Sequence, residues 1–230
     1  MQRAWILATG GLVTISLACS LFSNVIPSTS LGNGGDTAGS GSSNSAGGRV
    51  IYQDDFEDPS SGWDRDAYEH GGVDYSDGKY WVSSDGDGNA VWGQPYQSFS
   101  DLDIEVETLQ AIGPKDDNND YGVGCRVQDG GNGYYFLISG DGYYSIGIYT
   151  DSGYSNLVDW EQSDAINMGN ATNHLRAVCN GSSLDLYVNG EHLASTHDST
   201  FSSGDIALEA TSYESDQTQV YFDNLIVRQP

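Results

Sequence analysis

The chain has 230 residues, with 33 Asp and Glu against 8 Lys and Arg, for a formal charge of −25. A field of that sign repels phosphate backbones and anionic head groups, which excludes nucleic acid as a natural partner and any membrane surface held by charge alone. Carboxylates in such excess, with Lys79 and Lys115 the only lysines, serve solubility, suit salty surroundings, or supply oxygens to a hard cation such as calcium.

Residues 1–19 have the layout of an export signal: Arg3 as the charged start, an apolar, small-residue stretch from Trp5 to Leu17, then Ala18 and Cys19. The stretch is too short to span a bilayer comfortably. Ser16-Leu17-Ala18-Cys19 resembles a bacterial lipobox, and the resemblance implies that Cys19 becomes the lipidated first residue of the mature protein. Ser16 stands where that motif prefers Leu, so ordinary signal-peptidase cleavage is the alternative. With Cys19 assigned to a lipid, Cys125 and Cys179 remain as an even pair in an oxidising compartment, joined as a disulfide or left as two buried thiols.

Residues 20–49 show no hydrophobic periodicity, and the run LGNGGDTAGSGSSNSAGG cannot bury a core. A Gly/Ser coil of this length reaches on the order of 30 Å, enough to hold a domain clear of a head-group layer. The stretch reads as a tether, and its use as one favours Cys19 as the anchor.

Residues 50–230 match the size of one β-sandwich with a sizeable core. Short runs of alternating polarity recur there, separated by Gly, Asn and Asp, with no convincing helical stretch, which predicts an all-β antiparallel sandwich or jelly roll. Leu102, Ile104 and Val106 alternate strictly with Asp103, Glu105 and Glu107, giving one dry face and one acidic face. Tyr121, Val123, Cys125 and Val127 repeat the pattern. In GYYFLIS, Tyr134, Phe136 and Ile138 oppose Tyr135 and Leu137, so both faces are apolar, as expected of a binding surface or of a central strand covered on both sides. Asp141-Gly142, Asn180-Gly181 and Asn189-Gly190 sit where two-residue hairpin turns need positive φ, predicting hairpins over residues 134–149, 174–188 and 184–195.

Four segments taken together, DDFEDPSSGW, NNDYGVGCRVQDGGNGYYFLIS, LDLYVNGEHLAS and VYFDNLIVR, resemble the concanavalin A-like lectin/glucanase superfamily, particularly its laminin-G-like and 3-keto-disaccharide-hydrolase-like jelly rolls from bacterial surface lipoproteins. The resemblance implies one convex and one concave sheet, with the first and last strands paired. It also implies a ligand among glycans or other extracellular macromolecules, with sugar hydrolysis as the enzymatic alternative. Fold membership does not choose among these.

Candidate sites fall into three groups. Exposed aromatics stack on the C–H faces of sugars, and Trp81, Trp92, Trp160, Tyr135 and Tyr144 are the candidate ligand-binding residues, against the expectation that most aromatics of a sandwich are core. For calcium, the resemblance points to Asp54 or Asp55 with Asp223, where the terminal strands meet, although Asp223 could instead bond backbone amides. Asp85-Gly86-Asp87-Gly88-Asn89 opens like an EF-hand loop and then departs from it at Ala90 and Tyr96. Asp116 to Asp120 reads as a solvated loop. For hydrolysis, Asp101, Asp103 and Glu105 look like the catalytic strand of family 16 glycosidases with Asp101 in place of the nucleophilic Glu, against the plain reading of a solvated strand face.

No nucleophile elbow, phosphate loop or zinc spacing appears, and His70, His174, His192 and His197 are scattered. The expectation is a lipid-anchored extracytoplasmic module of the cell envelope that binds a glycan. The alternatives are a glycoside or keto-sugar hydrolase, and an architectural or sensory adhesion domain with a protein partner.

Overall fold

The computed structural model describes residues 47–230; the signal segment with Cys19, and the tether up to residue 46, lie outside them. In chain order the strands are β1 (Val50–Asp54), β2 (Asp66–Tyr68), β3 (Gly71–Ser76), β4 (Lys79–Ser84), β5 (Asn89–Gly93), β6 (Leu102–Ile112), β7 (Asn119–Val127) and β8 (Gly133–Ser139). They continue as β9 (Tyr143–Thr150), β10 (Gly153–Gln162), β11 (Thr172–Asn180), β12 (Ser183–Val188), β13 (Glu191–His197), β14 (Asp205–Ser212) and β15 (Thr218–Arg228). Among the described residues all regular structure is strand, as the short alternating runs require.

Two antiparallel sheets pack face to face. One has nine strands in the order β13-β12-β11-β6-β15-β4-β3-β2, with β1 beside the second half of β15; the other has six, β10-β9-β8-β7-β14-β5. First and last strands pair, with Val50 opposite Arg228. Period-2 alternation sends Leu102, Ile104 and Val106 of β6 and Leu175, Ala177 and Cys179 of β11 inward to meet Tyr121, Val123 and Cys125 of β7 and Tyr134, Phe136 and Ile138 of β8. An aromatic cluster of Phe56, Trp63, Tyr75 and Tyr80 closes the core under β3 and β4, with Phe56 and Tyr80 ring centroids 5.6 Å apart.

Cys125 and Cys179 form a disulfide with Cα atoms 6.9 Å apart. The two strands are neighbours through the core, one from each sheet, because both cysteines occupy inward-facing positions. In a chain-entropy view a bridge across this separation stabilises by about 4 kcal/mol through the unfolded state.

The hairpins fall where expected, with two adjustments. Asn189-Gly190 has positive φ at both positions, 51° and 87°, as a type I′ turn requires. The loop predicted at Asn180-Gly181 is shifted by one residue: Asn180 pairs with Ser183, and Gly181 takes the first loop position with φ 56°. Around Asp141-Gly142 the connection holds three residues, Gly140 to Gly142, since Ser139 Oγ accepts from the Tyr143 amide and extends the turn.

Arg126 is 1% exposed and ties one end of the sandwich together by donating to the carbonyls of Ser100, Gly181 and Phe201 and to Asp101 Oδ1.

Candidate functional site

The outer side of the six-stranded sheet carries a second, smaller apolar cluster of Val127, Tyr135, Leu137 and Ala207, against which Trp92 and Trp160 pack. This settles the doubled pattern of β8: Tyr134, Phe136 and Ile138 belong to the core, while Tyr135 and Leu137 floor an external surface. The surface is a cleft of about 410 Å³, within the range that small-molecule sites occupy.

Two close approaches shape it. Tyr154 of β10 lies across Gly147 of β9, where a Cβ would stand 2.1 Å from the Tyr154 hydroxyl oxygen. Trp92 of β5 leans on Gly131, where a Cβ would meet the indole at 2.8 Å; Gly131 also has φ +89° and accepts the Tyr135 hydroxyl proton at 2.7 Å. Glycine at both positions lets rings from the two edges of the sheet fold inward over its middle.

At the head of the cleft stand two acids. Asp120 opens β7 and Glu209 lies on β14, which pairs with β7 so that Thr211 faces Asp120 and Glu209 sits two residues further along. They are 2% and 3% exposed. Tyr213 donates its hydroxyl proton to Asp120 Oδ2, and Thr211 donates to Glu209 Oε1 at 2.6 Å. The remaining oxygens, Asp120 Oδ1 and Glu209 Oε2, are buried with no partner outside the pair, and the two carboxyls lie within hydrogen-bond reach of each other. Burial pushes the Asp120 carboxyl up to about 6. Burial and the neighbouring Asp120 charge push Glu209 well above the usual carboxylate range, so the pair tends to retain a proton. Burial, with the charge of this pair, also holds the hydroxyls of Tyr154 and Tyr213 far above the ordinary tyrosine value, so both stay neutral donors.

The sequence-predicted aromatics divide among three environments. Trp92 and Tyr135 line the cleft, and Trp160 packs against the same outer apolar cluster without lining it. Tyr144 is a core residue, because its β9 position shares the inward parity of Ile146; its hydroxyl donates to Glu161 Oε2 at 3.0 Å and to the Leu193 carbonyl at 3.2 Å. Trp81 lies on β4 of the other sheet, opposite Asp74 and Tyr221, and is no part of the cleft.

The carboxylates proposed for hydrolysis are each engaged by arginine. Asp103 receives both Nε and Nη2 of Arg176 at 2.8 Å, Glu105 pairs with Arg228 at 3.1 Å, and Asp101, outside β6, pairs with Arg126 at 3.0 Å. Asp103 and Glu105 face outward from the nine-stranded sheet, and Asp101 does not continue their row. That arrangement neutralises the charges and leaves no free acid-base pair.

Of the calcium candidates, Asp54 and Asp55 line one pocket with Asp58 and Asn224, while Asp223 is engaged elsewhere. Asp54 accepts from the Phe56 amide at 2.8 Å, Asp55 from the Glu57 amide at 3.3 Å, and Asp223 is paired with the Lys79 ammonium and capped by the Asn224 amide. An ammonium already seated on Asp223 competes with a metal there, so Asp223 does not complete a calcium site with Asp54 or Asp55. In the β4–β5 loop Asp85 turns towards His70, 3.5 Å away, and the Asp87 and Gly88 amides bond the Glu214 and Ser212 carbonyls. Among the described residues no group of three or more His, Cys, Asp or Glu side chains is arranged to hold a metal.

Asp120 corrects the expectation of a solvated loop: with Asn119 it begins a buried strand, and Asn119 donates to Gln110 Oε1 at 3.1 Å. Glu209 went unnoticed in the sequence. Its signal is a lone carboxylate on the outward parity of IALEAT, where Ala207 and Thr211 are its only companions on that face.

A jelly-roll sandwich with an aromatic cleft on one outer face defines a class, and comparison places the chain within it. Residues 112–226 match the family model described as the concanavalin A-like lectin/glucanases superfamily, and the chain belongs to that superfamily. The matched span contains Asp120, Tyr135 and Glu209 but not Trp92. No curated protein matches the chain.

Among solved structures, the carbohydrate-binding module CBM66 from Bacillus subtilis is 18% identical, with a TM-score of 0.60 over 73% of this chain and 95% of that one. A GlcNAcα1-4Gal-releasing endo-β-galactosidase from Clostridium perfringens is 9% identical, with a TM-score of 0.58 over 80% of this chain and 63% of that one. A protein of galectin-like fold from Bacillus subtilis is 10% identical, with a TM-score of 0.60 over 79% of this chain and 96% of that one. At these identities the likeness is one of fold, and the fold is shared by a binding module and by glycoside-cleaving domains.

Proposed function

We propose that the protein is an extracytoplasmic, lipid-anchored module that binds carbohydrate in the cleft on its six-stranded sheet. The observation that carries this reading is the gathering of Trp92, Tyr135, Tyr149 and Tyr154 in one cleft beside two buried acids. Flat rings offer apolar faces to sugar C–H groups, and acceptor oxygens at the edge of such a platform orient hydroxyls. The fold shared with a carbohydrate-binding module agrees with it. Retention on a glycan array by wild type, and its loss in Trp92→Ala, tests the binding; retention unchanged in that variant overturns it. Running the array with and without chelator tests calcium. The anchor rests on the lipobox resemblance at Cys19, and mass spectrometry of the mature N-terminus checks it: an unmodified terminus beyond Cys19 makes the protein freely secreted.

One observation favours hydrolysis as a second reading, namely the proton-holding pair of Asp120 and Glu209 in the cleft. Release of reducing sugar from a polysaccharide panel, abolished by Glu209→Gln, would establish it; a panel left intact by wild type leaves binding alone.

A further inference from the structure

The cleft holds an imbalance that a neutral sugar does not resolve. Its lining includes two carboxyls and no Lys, Arg or His. The groups that face the pair from the packed strands and loops are Tyr135 of β8, Tyr149 of β9, Tyr154 of β10, and Thr211 and Tyr213 at the end of β14, none of them cationic. Asp120 Oδ1 and Glu209 Oε2 have no partner outside the pair, and the two carboxyls, within hydrogen-bond reach of each other, are answered only by the proton that they hold. A buried carboxylate oxygen in this state needs a proton or a cation. Calcium is a poor candidate, since it requires six to eight oxygens and the site frees two from carboxylates. An organic ammonium fits better: it brings three donors in a compact group, enough for both oxygens, and the rings of Trp92, Tyr149 and Tyr154 line the same cleft, where aromatic faces attract cations. An anionic sugar meets the same two acids and a chain of charge −25, and is repelled.

We infer that the cleft selects a sugar bearing a free amine, with the ammonium seated between Asp120 and Glu209 and the sugar ring on the Trp92 side. The inference rests on the proposed carbohydrate-binding reading and names its ligand class: glucosamine-type units rather than N-acetylated, neutral or anionic ones. Binding exchanges one cation for another. The proton that the pair holds in the free protein leaves to solvent as the ammonium enters, so both carboxylates are ionised in the complex.

The test is titration calorimetry on the mature chain with three probes: a glucosamine hexamer, an N-acetylglucosamine hexamer and a β-1,3-glucose hexamer. The expected result is binding of the glucosamine hexamer at least tenfold tighter than either other probe. An apparent enthalpy that changes with the ionisation enthalpy of the buffer would report the released proton. Asp120→Asn and Glu209→Gln should each weaken that binding by tenfold or more, and because either one removes repulsion from a buried pair, near-ultraviolet circular dichroism should show both folded. Equal binding of the neutral or N-acetylated probe, untouched by either variant, overturns the amine inference while leaving the glycan cleft standing. Binding of the glucosamine hexamer that Trp92→Ala does not weaken, or no binding of any probe, overturns both. Binding abolished by chelator and restored by calcium gives the pair to a metal and overturns the inference.

Discussion

The two outer faces of the sandwich carry acids in different states. On the nine-stranded sheet Asp103 and Glu105 are answered by Arg176 and Arg228, and Arg176 also lies 4.6 Å from the ring centre of Tyr187. On the six-stranded sheet Asp120 and Glu209 are answered by hydroxyls and by each other, with no cation among the residues lining the cleft. The acids of the paired face have cations beside them, whereas those of the unpaired face are buried without one. Unresolved charge in a cleft points to a ligand, while the same residue type beside an arginine points to the fold.

The comparison can be broken or sharpened in several ways, beginning with the bond that joins the two sheets. Replacing both Cys125 and Cys179 with Ala is expected to cost about 4 kcal/mol and to lower Tm by about 8–16 °C in calorimetry, with glycan retention unchanged below the transition. On the unpaired face, Glu209→Gln is expected to stabilise at pH 8, by less than the loss of the disulfide costs. The sign follows from the raised carboxyls: the folded state holds their protons more tightly than the unfolded state. Their contribution is therefore full below the ordinary carboxylate value of about 4 and is lost as pH rises through about 6 for Asp120 and higher for Glu209. The advantage of the variant should vanish near pH 4, which urea titrations at pH 4 and pH 8 will show.

On the paired face the same kind of change should have the opposite sign. Asp103→Ala leaves Arg176 without its two short hydrogen bonds and is expected to destabilise by about 2 kcal/mol at pH 8, read from the same titrations. If both acid deletions stabilise, or both destabilise, the contrast between the faces is wrong. The smallest effect concerns two tryptophans that look alike in sequence. Trp92→Ala should weaken glycan retention about tenfold and Trp81→Ala by less than about twofold, checked by affinity electrophoresis against the best array ligand.

Strand positions were legible because period-2 alternation and Asn-Gly or Asp-Gly turns are local, and β6, β7 and the hairpin at Asn189-Gly190 show it. Alternation tells inward from outward but does not say which sheet a strand joins. Trp81 and Trp92 both lie on outward positions, yet one belongs to each sheet. Tyr144 is a core residue that its own strand marks as such, since Tyr144, Ile146 and Ile148 share one parity against Ser145 and Gly147 on the other. The acid pair was out of reach for a different reason: β14 inserts between β5 and β7, a long-range pairing that leaves no trace near either Asp120 or Glu209. The cysteines were correctly paired by count, while their placement on facing sheets came from tertiary packing.

The chain enters the domain at Val50 of β1, on the nine-stranded sheet beside β15, whereas the cleft lies on the six-stranded sheet. A load applied between the entry point and a molecule held in the cleft must therefore cross the sandwich from one sheet to the other. Side-chain packing would carry that load only until the sheets slid apart. The Cys125–Cys179 bridge joins an interior strand of each sheet directly, so it acts as a covalent rivet in the load path, and reducing it should make the domain mechanically weak before it makes the cleft chemically different.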